Sequence, residues 1–105
     1  MTKAKRRNET ETQITPPDFM GDGNKTVATA GTRVQLPDVP CRFVEIFAVA
    51  GNTGNMFVGG TTIAAGRGMV LEQARSTGWF GIDNLNLIWI DSEQDGDGVS
   101  YAYTV

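Results

Sequence analysis

The densest run of chemically capable side chains is DSEQDGDG, Asp91 to Gly98, where Asp91, Glu93, Asp95 and Asp97 alternate and Gly96 permits a sharp turn. Oxygen ligands at every second position around a glycine are what a calcium loop supplies. The twelfth position counted from Asp91 is Ala102, where an EF-hand needs a bidentate carboxylate, and no flanking helices are expected. The segment therefore reads as a solvated hairpin turn between two strands, with weak, non-specific calcium binding as its alternative. No histidine occurs anywhere, which removes the commonest general base near neutral pH and the commonest metal ligand. The single cysteine, Cys41, has no such partner and reads as a small buried apolar residue rather than a nucleophile. Glu45 and Glu72 have the chemistry of a hydrolase pair, but their spacing does nothing to bring them together. Catalytic residues, metal ligands and cofactors are therefore expected to be none, and the chain does not read as an enzyme.

Two other groups of residues bear on binding. Trp79, Phe80, Trp89, Tyr101 and Tyr103 could form a sugar-stacking platform, although their placement within strands makes core packing the default. KAKRR supplies Lys3, Lys5, Arg6 and Arg7, a compact basic cluster without interleaved aromatics. It would hold phosphates weakly, so nucleic acid is not the expected partner; an acidic groove on a protein suits it equally well, and a solvated tail is the plain alternative. The glycines of VGG and AAGRG lack P-loop spacing and a following helix, so they read as turns.

The elements that would carry these residues are short. Thirteen glycines fall mainly between brief apolar runs, the punctuation of an all-β chain. GTRVQLP alternates Thr32, Val34 and Leu36 against Arg33 and Gln35, a strand with one wet face. CRFVEIFAVAG is the longest strand, with Phe43, Glu45, Phe47 and Val49 on one side and Val44, Ile46 and Ala48 on the other. NMFVGG and GMVLEQ are shorter strands, and GWFGIDNLNLIWID reads as two strands around a turn at Asp83-Asn84. GVSYAYTV closes the chain with Val99, Tyr101, Tyr103 and Val105 on one face. About seven or eight short antiparallel strands predict a compact β-sandwich or jelly roll over residues 25–105. The strands around Phe43–Val49 and Leu87–Ile90 are apolar on both faces. Either loops cover their second faces, or another protein surface does.

Residues 1–24 have a different character. Ile14, Phe19 and Met20 are the large apolar residues after the initiator, Pro16-Pro17 favours extended chain, and MGDGN (Met20 to Asn24) reads as a flexible joint. So little apolar surface cannot fold alone, and the segment is expected to be an extended N-terminal arm lying on another chain. The four basic and four acidic residues of 1–24 cancel, leaving the net −3 to the five basic and eight acidic residues of 25–105. No run is long and apolar enough for a transmembrane span, and the polar N-terminus lacks the apolar core of a secretory signal, so synthesis in the cytoplasm is expected.

The order and spacing of GTRVQL, MFVGG, GMVLEQ, DNLN and GVSYAYTV over residues 31–105 resemble small β-sandwich virion proteins of tailed bacteriophages. In such sequences the GMVLEQ region often runs into a Pro-Gly turn, whereas here it continues as EQARSTGW. The resemblance implies a structural protein at the capsid surface, a decoration or cement protein that stabilises the shell. Its implied partner is the major capsid protein, with self-association, for instance as a trimer, and no small-molecule substrate or membrane. Candidate capsid-contacting residues are Lys3, Lys5, Arg6 and Arg7 for charge and Ile14, Phe19 and Met20 as apolar anchors. A carbohydrate-binding adhesion module, or a head-fibre or tail component, is the alternative.

Overall fold

The computed structural model describes residues 19–105. Over that span the chain is all-β: eight strands lie in two four-stranded antiparallel sheets packed face to face. The strands are β1 (Met20–Thr26), β2 (Val34–Gln35), β3 (Phe43–Ala48), β4 (Met56–Gly59), β5 (Met69–Leu71), β6 (Phe80–Gly81), β7 (Trp89–Ser92) and β8 (Gly98–Thr104). The first sheet runs β1-β8-β3-β6 and the second β2-β7-β4-β5. Val44, Ile46 and Val99 of the first sheet meet Met56, Val58 and Ile90 of the second in the core, all of them buried. Those residues sit at every second position, because alternate side chains of a strand point to one face.

Two turns expected from the sequence are instead crossings between the sheets. β6 and β7 flank Asp83-Asn84 but belong to different sheets, and a single 3-10 turn at Leu85–Leu87 follows Asn84. The Asn84 side-chain oxygen accepts from Asn86 N at 2.9 Å and from Val39 N at 3.2 Å, which ties the crossing to the chain before β3. The acidic run between β7 and β8 likewise spans the sheets, so it is no hairpin. Its Asp91 and Asp97 are buried rather than solvated. Asp97 accepts from Thr53 N and from Gly54 N (2.8 Å), and Asp91 accepts from Gly31 N (3.0 Å) and Ser92 N. A buried carboxylate must find donors, and loop backbone supplies them.

The joint expected at Met20–Asn24 is also corrected. It forms most of β1, in register with β8 from Met20–Thr104 to Thr26–Gly98, so the sandwich begins at Met20 rather than at residue 25. Gly21 and Gly23 lie opposite Tyr103 and Tyr101. A Cβ on Gly21 would sit 2.3 Å from Tyr103 Cζ, and one on Gly23 2.4 Å from the Tyr101 hydroxyl oxygen. The glycines therefore leave space for two aromatic rings that cover an edge strand, and they act as packing partners rather than as a hinge.

Candidate functional site: the outer face of the first sheet

Alternation that sends Val44, Ile46 and Ala48 inward sends Phe43, Glu45 and Phe47 outward. The cross-strand register extends these into rows: Phe43 beside Thr104 and Met20, Glu45 beside Ala102 and Asp22, Phe47 beside Ser100 and Asn24. The middle strand β8 thus contributes only small residues to this face, and the larger side chains on β3 and β1 stand on either side of them. Phe43 remains 47% exposed, Phe47 39% and Met20 61%. Trp79, also exposed, immediately precedes β6 at the edge of this sheet, next to Phe80, whose side chain packs on the core. One carboxylate lies on each side of Ala102, and Ser76 Oγ donates to Glu45 Oε2 at 3.0 Å. Aromatic and methionine side chains around a small-residue floor are the composition of a protein-contact patch.

The second sheet treats its outer face differently. Phe57 and Asp91 are register partners on that face, yet both are buried. The loop carrying Gly31 lies over Asp91, and Ile63 packs beside Gly59, where an added Cβ would meet Ile63 Cδ1 at 2.9 Å. Gly68 closes the same loop with a φ of +72°; a Cβ there would lie 2.5 Å from the Val58 carbonyl oxygen. Trp89, half-buried on this side, lies under the Arg33 guanidinium, 5.6 Å from the ring centroid. The strand pair apolar on both faces therefore divides: loops of the chain cover Phe57 and Asp91 of the second sheet, leaving Val70 on β5 and Leu87 before β7 exposed, while β3 keeps its second face open.

Open depressions adjoin the exposed face. One of about 650 Å³ at its β1–β8 end is lined by Asn24, Lys25, Phe47 and Ser100 among others. Asn52 and Asp97 on its wall are engaged internally, Asn52 through paired hydrogen bonds with the Gly98 backbone. A second, of about 470 Å³, lies around Cys41, Phe43 and Gly81. Cys41 itself is buried, donates from Sγ to Ile82 O at 3.2 Å, and has its thiol pKa pushed up by burial and then by nearby Asp83. A thiol held in its neutral form is a packing group, as its sequence setting suggests.

The other candidates separate. Glu45 faces outward from the first sheet, whereas Glu72 follows β5 in the second. Trp79 borders β6 of the first sheet, whereas Trp89 opens β7 of the second. Tyr101 is buried and Tyr103 half-buried, their centroids 6.3 Å apart over the glycines of β1. Among the described residues, no three His, Cys, Asp or Glu side chains come together in a group that could hold a metal ion. Lys3, Lys5, Arg6, Arg7 and Ile14 lie outside the described residues. Phe19 and Met20 are placed: Phe19 O accepts from Val105 N at 3.0 Å, and Met20 joins the row of Phe43. One signal for the exposed face was present in the sequence: a glutamate set between two phenylalanines at alternate positions marks the side that water reaches. The chain matches no protein-family model, no curated protein and no solved structure.

Proposed function

We propose that the chain is a structural virion protein of a tailed bacteriophage, a decoration or cement protein that docks on the outer surface of the head and reinforces it. The observation that carries the reading is the open outer face of the first sheet, where Phe43, Phe47 and Met20 stand exposed, while loops bury Phe57 and Asp91 on the opposite sheet. Exposed Phe43 and Met20 on one side and exposed Phe47 on the other flank the Glu45–Ala102–Asp22 row, and aromatic and methionine side chains are enriched where proteins meet. The major capsid protein is the partner that the resemblance suggests. Residues 1–18, with their basic cluster, would add contact area beside Met20, and many copies per shell would let modest contacts act together. The first test is copy number per purified particle, measured by quantitative mass spectrometry. Hundreds of copies support shell decoration; a dozen or fewer would move the protein to a portal, fibre base or tail.

A carbohydrate-binding role is the second reading, favoured by exposed Trp79 and by the Phe47–Ser100–Asn24 row, an aromatic ring beside polar side chains. Sugar-dependent quenching of Trp79 fluorescence in a Trp89→Phe background would support it. No quenching across a glycan panel removes it.

A further inference from the structure

Among the described residues, three of the four sheet edges are blunted by length: β2 and β6 are 2 residues long and β5 is 3, whereas β1 runs for 7. Short edges are a common guard against strand addition, and β1 lacks that guard. It contains no proline. Its hydrogen-bond phase is set at both ends. Val105 N donates to Phe19 O at 3.0 Å and Val27 N donates to Asp97 O at 2.9 Å, so the odd-numbered positions bond to β8. In an antiparallel ladder the intervening residues then turn their N–H and C=O groups away from β8. Met20, Asp22, Asn24 and Thr26 thus present backbone donors and acceptors to an edge on which no other described strand lies.

We propose that β1 of one molecule pairs antiparallel with β1 of a second copy about a twofold axis at Gly23, joining the two first sheets into one continuous sheet. The side chains select both this partner and this register. With Gly23 at the axis, Met20 faces Thr26 of the other copy and Asp22 faces Asn24, twice by symmetry. Each Asn24 amide can donate to an Asp22 carboxylate, and all of β1 is used. Sliding the pair by one ladder step brings Asp22 against Asp22, a like-charge pair. Sliding it the other way brings Asn24 against Asn24 and leaves Met20 unpaired. On the inner side the same register sets Lys25 opposite Gly21, over which the Tyr103 ring of the other copy lies. The inference rests on the edge alone and goes beyond the docking role. Its consequence for that role is geometric: the twofold puts both sets of Phe43 and Phe47 on one side of the joined sheet, a doubled docking face.

The experiment uses the full chain. Light scattering coupled to size exclusion should give twice the 11.3 kDa of one chain. Amide exchange should show Met20, Asp22, Asn24 and Thr26 protected in the dimer and released on dilution, while their odd-numbered neighbours stay protected. Asn24→Asp places like charges opposite each other and should weaken dimerisation by about tenfold. Asn24→Pro removes a donor that β8 does not use, so it should give a folded monomer with the ladder to β8 intact. A monomeric mass at every concentration overturns the proposal, as does a trimeric mass. Protection of the even-numbered amides in a monomer, lost when residues 1–18 are removed, would assign the edge to the chain's own preceding segment and also overturn it.

Discussion

Gly23 and Tyr101 show how one atom decides a local structure. Tyr101 is buried, so a methyl group at Gly23 must displace a ring with nowhere to go; Tyr103 opposite Gly21 is half-buried and can swing outward. Gly23→Ala should therefore destabilise the fold by about 1–3 kcal/mol, and Gly21→Ala by clearly less, read from urea midpoints. Equal losses would mean that the rings do not depend on the glycines. Cys41 and Tyr101 also give the fold an alkaline limit. Burial is the main cause that raises both pKa values, from ordinary values of 9.0 and 10.0. Above pH 9 the unfolded chain releases the thiol proton while the folded chain retains it, so unfolding gains. Their contribution is complete below the unfolded values and is lost as pH rises through the folded ones. Stability should decline from about pH 9, and Cys41→Ala should delay the onset; urea midpoints measured across alkaline pH check this.

At the scale of elements, the crossing between β7 and β8 is held by carboxylates that act on backbone far away in sequence. Asp97→Ala leaves the Thr53 and Gly54 N–H groups without their acceptor and should cost about 1–3 kcal/mol, with faster amide exchange at both positions. Asp95 makes an exposed hydrogen bond to Ala30 N, and its alanine variant should lose much less. These roles explain what the sequence conceals. The alternation in Phe43–Ala48 and Val99–Val105 exposes the strands and their inward faces, because periodicity is a local property. Which sheet each strand joins is not local. β6 and β7 look like a hairpin until Asn84 is seen bonded to Val39 and Asp38, and Asp91–Gly98 looks solvated until its donors arrive from loops about 40–60 residues away. Met20–Asn24 looked like a joint for the same reason: glycine spacing suggests freedom, and only the register with Tyr101 and Tyr103 shows why those glycines are needed.

For the whole molecule, the two outer faces differ: loops bury Phe57 and Asp91 on one, with Val70 left exposed on β5, and the other leaves Phe43, Phe47 and Met20 in water, the face proposed to meet a partner. Completing the burial of half-exposed aromatic rings would contribute roughly 1 kcal/mol each, so in the proposed role one copy would bind modestly and a shell of copies firmly. Removing residues 1–18 should leave the urea midpoint unchanged, since β1 begins at Met20, while lowering occupancy on heads; a shifted midpoint would show that the segment belongs to the fold. Cosedimentation with heads prepared without the protein tests the proposed docking face. The wild type is compared with a Phe43→Ser, Phe47→Ser double variant. Both side chains face water, so the variant should keep its stability to within about 1 kcal/mol and yet fail to saturate the heads. Full occupancy by a folded variant would contradict the assignment of this face as the docking surface.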